Sequence, residues 1–235
     1  MASNLTKRPV AIPVSCIGFL KLLKKNNNRE WFNHNKDRFL TEQHFMEVFA
    51  DAMLAALNIH DIIETPSGKK SLHRIYRDTR FSNNKTPYKV NWSGYFKRAT
   101  QLRRGGYYFR IEPGHSFIAG GFWAPVPQDL KRIRDDIAFD ASPLRTIINS
   151  KTFIRTFGSL KGEQLKSSPR GFDAADEAID LLRYKQFLLI RKFTDEEVLS
   201  GDFLKQAGLT YKNMRPFFDY MSTILSTGVN GEMLG

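Results

Sequence analysis

The spacing of hydrophobic positions changes twice along this chain. As far as residue 57, apolar side chains recur at the spacing of an amphipathic helix, and between residues 90 and 122 they alternate with polar ones. Helical spacing returns at residue 126. The pattern predicts an α+β fold, with an antiparallel sheet from the middle of the chain covered by N- and C-terminal helices.

The N-terminal third predicts two helices. The first begins near Ser15, which suits an N-cap, and ends at residues 26–28, which are all Asn. The second spans residues 29–57, with an interruption near Thr41. Residues 1–14 are expected to form a loose arm, residues 15–225 a single α+β domain, and residues 226–235 a frayed tail.

The middle of the chain predicts strands. Apolar and polar positions alternate over residues 90–96 and 107–112, and a third alternating segment at 116–122 follows the Pro-Gly turn at 113–114. Short turns between them favour antiparallel pairing.

Helices are expected again in the C-terminal half, from residue 126 and over residues 143–150, 174–184 and 210–224. Thr194 and Glu197 have the spacing of a capping box, which predicts the start of a further helix. In the last helix Pro216 must lie near the start or produce a kink, because proline has no N–H to donate.

The positive charge of the chain is concentrated in one segment. Residues 69–110 contain twelve basic residues and one acid, Asp78, so they carry nearly all of the net charge of +12. Such a concentration attracts phosphate or another anion. The lone cysteine, Cys16, excludes a disulfide framework and favours a cytoplasmic setting. The five histidines lack ligand spacing, so no metal or cofactor is expected, and no apolar run is long enough for a membrane span.

Residues 74–89 hold the sharpest pattern of candidate chemistry. On a strand, Arg74, Asp78 and Arg80 would share one face, where Asp78 orients an arginine and the other guanidinium faces a ligand. We expect Arg74, Arg77, Asp78 and Arg80 to form one partly buried network. The loop after them would carry Lys85 and Tyr88 over an anion. The alternative is an ion-pair network that only holds a loop to the sheet.

The candidate ligand-binding set extends beyond this segment. Trp123 would be an aromatic wall or a packing corner, and Lys166 and Arg170 lie in a second basic loop that either returns to the sheet or stays exposed. Asp78 and Tyr88 are the candidate acid–base groups, although no pattern fixes a reaction. The expected ligand-binding residues are Arg74, Arg77, Arg80, Lys85, Tyr88, Lys89, Arg110, Trp123, Lys166 and Arg170.

The same residues resemble a bacterial family of unknown function with the motif Arg-x-x-Arg-Asp-x-Arg-Phe followed by Asn/Asp-Lys-x-Pro-Tyr. The similarity extends to residues 120–125, 165–172 and 181–185, and so to nearly the whole chain. One departure is the Asp-Glu pair at 176–177, where the family often has His-Pro. The resemblance implies no established activity. The motif positions here are Arg74, Arg77, Asp78, Arg80, Phe81, Asn84, Lys85, Pro87 and Tyr88.

Two functions are compatible with these features. The first is binding, with or without turnover, of a phosphorylated small molecule or nucleotide by an Arg/Lys/Tyr pocket. The alternative is a nucleic-acid-binding module with an open basic-aromatic surface, and a third, blander possibility is a basic scaffold for an acidic partner. A pocket requires residues 74–89 to converge, whereas a nucleic-acid surface requires an open stripe. That stripe would contain Tyr95, Phe96, Lys97, Arg98, Arg103, Arg104, Tyr107 and Tyr108.

Overall fold

A four-stranded antiparallel sheet lies at the centre of the protein. The computed structural model describes residues 10–100 and 102–227, and its strands follow the order β1-β2-β3-β4. The sheet from the middle of the chain is confirmed, and a fourth strand joins it from the C-terminal half. The strands are β1 (Trp92–Lys97), β2 (Gly106–Ile111), β3 (Ser116–Phe122) and β4 (Phe187–Phe193).

Helices precede and follow the first three strands, as the hydrophobic pattern predicts. In the described part of the chain they are α1 (Val14–Lys25), α2 (Arg29–His34), α3 (Lys36–Asn58), α4 (Gly68–Ser71), α5 (Pro127–Phe139), α6 (Ser142–Ile148), α7 (Lys151–Phe157), α8 (Ile179–Leu182), α9 (Asp195–Leu199), α10 (Phe203–Asn213) and α11 (Arg215–Ser226).

Several helix predictions need correction. The long N-terminal helix is interrupted at Asn35 rather than near Thr41, because the Asn35 side chain donates to the Trp31 carbonyl at 2.9 Å and ends α2. The helix expected over residues 174–184 is reduced to the single turn α8. Before it, the carboxylates of Asp173 and Asp176 accept hydrogen bonds from backbone N–H groups two residues ahead, which favours turns over helix.

The N-cap predicted at Ser15 is wrong, because Pro13 precedes α1 and the Ser15 hydroxyl, inside the helix, donates to Glu42 at 2.8 Å. Two start signals further along the chain are respected. Thr194 and Glu197 form the reciprocal capping box at the start of α9. Pro216 lies in the first turn of α11, where no helical partner for its missing N–H is needed. The single helix predicted over residues 210–224 is wrong, because α10 ends at Asn213 and α11 begins at Arg215.

One face of the sheet packs against the helices and forms the core. Tyr107 and Phe109 are fully buried there, and the Tyr107 ring meets Phe218 of α11 edge-to-face at 4.9 Å. A single cluster of buried residues includes the N-terminal helices, the sheet and the C-terminal helices. It also contains Ile12, which is 2% exposed, so residue 12 of the predicted loose arm is packed into the core. Residues 1–9 of that arm and 228–235 of the predicted tail lie outside the described residues.

Among the described helices, none is long and apolar enough to cross a membrane. The described residues, inside and outside the helices, contain no group of metal-ligating side chains that could hold an ion.

Candidate functional site

The opposite face of the sheet, here called the open face, is ordered in rows by the strand register. Tyr95, Tyr108, Ala119 and Ile190 are direct neighbours across the four strands. The neighbouring row on the side of the sheet where β1 begins contains Arg110. The neighbouring row on the opposite side contains two glycines. These flanking rows are Ser93, Arg110, Phe117 and Lys192, and Lys97, Gly106, Gly121 and Leu188.

The motif segment lies beside β1, but it is an irregular hairpin rather than a strand. Isolated bridges join Leu72 to Gly94 and Tyr76 to Tyr88, and the Lys89 N–H donates to the Ile75 carbonyl at 2.7 Å. Pro87 has no N–H to extend the ladder, and a turn begins at Thr79. The strand-like alternation assumed for Arg74, Asp78 and Arg80 is therefore wrong.

The partly buried Arg/Asp network is also wrong. Asp78 and Arg80 pair with each other at 2.7 Å, but their side chains are 59% and 77% exposed. Hydrogen bonds from Arg80 lower the pKa of the Asp78 carboxyl. Arg77 turns away and donates to the hydroxyls of Thr86 and Ser82. Among the described residues, Asp78 is thus the partner of one arginine of the motif rather than of three.

Five basic side chains instead converge on a groove of about 660 Å³ between the hairpin, α1 and the open face. We call it the basic groove and define it by Lys24, His73, Arg77, Lys89 and Arg110. The predicted ligand residues Arg77, Lys89 and Arg110 are therefore brought together. Its wall also includes Asn27, Asn91, Ser93 and Tyr108.

The basic groove carries positive charge that its surroundings do not neutralise. Burial, reinforced by Lys89, lowers the pKa of His73, and burial, reinforced by Arg74, lowers the pKa of Lys89. Among the described lining residues Asp78 is the one carboxylate, and Arg80 already occupies it. Arg110 pairs with Glu112, yet its Nε is buried without a hydrogen-bond partner within the described structure. The groove is therefore suited to an anion.

Tyr88 supports one wall of the groove. Its ring is 4% exposed and stacks on Phe32 with centroids 4.0 Å apart, and burial raises the pKa of its phenol. The Asn27 side chain donates to the Tyr88 carbonyl at 2.9 Å and accepts from its N–H at 3.1 Å. These contacts join the hairpin to the loop after α1, so Tyr88 holds the two walls of the groove in place.

Several expected ligand residues lie elsewhere. Arg74 is exposed and lines a separate cavity of about 300 Å³ with Lys69 and Lys70. The exposed Lys85 donates to the Thr79 carbonyl at 2.9 Å, within its own loop. Lys166, Arg170 and Arg80 are exposed and line neither the basic groove nor the apolar groove described next.

Trp123 lies at a second groove on the open face. This groove, here called the apolar groove, has a volume of about 370 Å³ and shares Tyr108 and Arg110 with the basic groove. The Trp123 side chain is 69% exposed, so it is a wall rather than a packing corner. The apolar groove is lined by Tyr95, Gly106, Tyr108, Arg110, Phe117, Ala119, Gly120, Gly121, Trp123, Leu188 and Ile190.

The open basic stripe expected for nucleic acid is interrupted. Arg98 is 2% exposed and donates to Asp61 at 2.6 Å, while Arg103 also pairs with Asp61 and Arg104 pairs with Asp129. Phe96 and Tyr107 are fully buried, so of the four expected stacking residues only Tyr95 and Tyr108 belong to the open face. The structural ion-pair network of this protein is centred on Asp61, outside the motif.

Sequence reasoning missed Lys24, Asn27 and His73 of the basic groove. Lys24 lies in the last turn of α1 and His73 in an extended stretch after α4, and neither stands in a recognisable pattern. A signal existed for Tyr108, because strand alternation places it opposite the buried Tyr107 and Phe109.

Comparison with known proteins assigns a family. A family model described as conserved hypothetical protein (DUF2461) matches residues 15–220. The chain belongs to this family. No curated protein and no solved structure was found to match it. In this member of DUF2461, the two grooves of the open face are the features that bear on function.

Proposed function

We propose that the protein binds a phosphate-bearing small molecule or nucleotide in the basic groove. The observation that carries the proposal is the convergence of Lys24, His73, Arg77, Lys89 and Arg110 on one groove. These side chains come from α1, the hairpin and β2, so their proximity is a property of the fold and not of one charged run.

The side chains are of the types that recognise phosphate. Arg77 and Arg110 offer planar guanidinium groups, and Lys89 a compact charge. The lowered pKa values of His73 and Lys89 reflect burial together with positive neighbours, and a bound dianion would reverse that electrostatic strain. The unpartnered Nε of Arg110 is a further donor at the junction with the apolar groove.

A calorimetric titration with inorganic pyrophosphate at low salt tests the proposal. In Lys89→Gln a charge-assisted hydrogen bond of about 1.5–3 kcal/mol is lost, so affinity should fall by about tenfold or more. Lys166→Gln makes the same chemical change on an exposed loop outside both grooves and should leave affinity unchanged. Absence of binding, or equal losses in both variants, would contradict the proposal. A thermal melt of each variant controls for folding.

The buried Arg98 and the paired Arg103 and Arg104 favour a groove ligand over an extended nucleic-acid strand. Tighter binding of a short single-stranded oligonucleotide than of pyrophosphate would reverse this preference. The logarithm of its affinity would then fall with the logarithm of the salt concentration, with a slope of several units.

We confine the proposal to binding, because Asp78 is engaged by Arg80 and the Tyr88 ring lies against Phe32. A cytoplasmic setting is part of the proposal and is supported by the free, buried thiol of Cys16.

A further inference from the structure

The two grooves of the open face form one continuous surface with a polar and an apolar end. Tyr108 and Arg110 line both grooves and lie two residues apart on β2. Successive rows of the open face are about 7 Å apart, because each strand residue advances the chain by about 3.4 Å. The row of Tyr108 and Ala119 is thus one row away from Arg110, a separation similar to that between the phosphate and the base of a nucleotide.

The apolar end has a flat aromatic floor. A Cβ atom at Gly106 would lie 2.1 Å from the Tyr95 Oη, which shows that the Tyr95 ring lies along the sheet over this glycine. Gly106 pairs directly with Gly121, and Ala119 is the small residue of the next row. Beside these small residues, Trp123 is 69% and Tyr95 40% exposed, so two large aromatic surfaces remain uncovered by the described residues.

We propose that the apolar groove holds the base of a nucleotide, with the sugar-linked phosphate at Arg110 and Lys89. The proposal rests on the proposed function and narrows its ligand class to compounds with a planar ring about one row from the phosphate. Stacking on Tyr95, Tyr108 or Trp123 needs only the π-face of the ring, so it discriminates bases from other groups more strongly than one base from another.

An alkyl chain is the competing occupant of an apolar groove, and the wall chemistry disfavours it. A chain gains most from an enclosed channel, whereas Tyr95 and Trp123 remain partly exposed. A heterocyclic ring can stack on such walls while its polar edge stays hydrated.

The test compares adenosine monophosphate, ribose phosphate and hexyl phosphate by calorimetry on the full chain. Adenosine monophosphate should bind about tenfold or more tightly than ribose phosphate, since base stacking is lost in the latter. Ala119→Leu, which fills the middle row, should remove that advantage while ribose phosphate keeps its affinity. Because a filled groove could perturb the sheet, Trp123→Ala on the exposed wall provides a second variant and should reduce the advantage in the same way.

The outcomes separate this inference from the proposed function. Ribose phosphate that binds as tightly as adenosine monophosphate, and does so in a Lys89-dependent manner, overturns the base site but retains phosphate binding. Tighter binding of hexyl phosphate than of adenosine monophosphate also overturns it, in favour of an alkyl ligand. If none of the three shows binding that Lys89→Gln weakens, both proposals are wrong. Lys166→Gln is the control variant throughout.

Discussion

At the scale of single residues, Asp61 is a buried carboxylate that pairs with three arginines. Its carboxylate accepts from Arg98 Nε at 2.6 Å and from the Tyr107 hydroxyl at 2.7 Å, and Arg103 and Arg215 lie at 3.5 and 3.4 Å. Burial by itself would raise the pKa of Asp61, but the hydrogen bonds from Arg98 and Tyr107 outweigh it and lower the pKa. Arg98 is retained in the core because this carboxylate compensates its charge.

Replacing Asp61 by Asn should therefore destabilise the fold by about 3–5 kcal/mol, because it leaves the buried Arg98 without its main counter-charge. Asp78→Asn is the matched control. It removes one exposed ion pair with Arg80 and should leave the free energy of unfolding nearly unchanged, because solvent screens that pair. Urea unfolding of both variants measures the difference. Equal costs would show that the Asp61 cluster is not a buried network in energetic terms.

At the scale of elements, the glycines of β3 decide how closely its neighbours approach. Gly121 has a φ of +132°, and a Cβ there would lie 2.1 Å from the Phe187 carbonyl oxygen of β4. The pairing of β3 with β4 therefore depends on the absence of a side chain at this position. Gly121 also lines the apolar groove, so the same glycine affects both strand pairing and the shape of the groove.

Gly121→Ala should destabilise the protein by about 2–6 kcal/mol, since backbone strain and overpacking each cost about 1–3 kcal/mol. Gly114→Ala is the comparison in a turn, with a φ of +74° and nothing within 4 Å of the added Cβ. It should cost only the left-handed strain of about 1–2 kcal/mol. Chemical denaturation measures both values. A Gly121→Ala cost no larger than that of Gly114→Ala would mean that β4 can shift without loss.

At the scale of the whole molecule, the basic side chains fall into two groups, those paired with carboxylates and those without an ion pair in the described structure. Arg98, Arg103 and Arg104 join carboxylates from distant parts of the chain, whereas His73, Arg77 and Lys89 have no ion pair among the described residues. Histidines near these clusters link the charge distribution to pH. Burial followed by Arg215 lowers the pKa of His60, as burial followed by Lys89 lowers that of His73.

The free energy of unfolding should fall as the pH decreases from about 7 toward 5. The unfolded chain binds protons at the ordinary histidine pKa of about 6.5, but the folded chain takes them up only at lower pH. Stability is thus fully present above the unfolded pKa and is lost as the pH falls through it toward the folded values. Each histidine contributes a slope of at most about 1.4 kcal/mol per pH unit.

Urea unfolding at a series of pH values measures that slope. His60→Gln should reduce it, because the ring whose pKa is lowered in the folded state is removed. An unchanged slope in His60→Gln would show that His60 is protonated equally in both states.

Much of the fold could be read from local patterns. The two changes of hydrophobic period, the capping box at Thr194 and the place of Pro216 at a helix start depend on residues within a few positions of one another. The helix expected over residues 174–184 was wrong because a competing local interaction is favoured there, namely the turns formed by Asp173 and Asp176 before α8. The strand β4 was missed because an apolar run buried from Phe187 to Leu189 does not alternate.

The sequence predicted some of the residues that line the basic groove and missed others. Charge density pointed to residues 69–110, and Arg77, Lys89 and Arg110 do line the basic groove. Arg80 and Lys85, from the same motif, make contacts only within their own loop. Charge counts report how many cations a segment has, but not which of them already have partners.

The sequence by itself determined the order of the first three strands between two groups of helices, the sign and location of the charge, and the starts of α9 and α11, because these follow from interactions among near neighbours in the chain. Only the tertiary structure decided which cations are neutralised and which face the groove. Arg98 finds Asp61 at a separation of 37 residues and Asp219 at 121, and Asn27 reaches Tyr88 across 61. Such pairings form only when packing brings distant segments together, since no local pattern of residues specifies them.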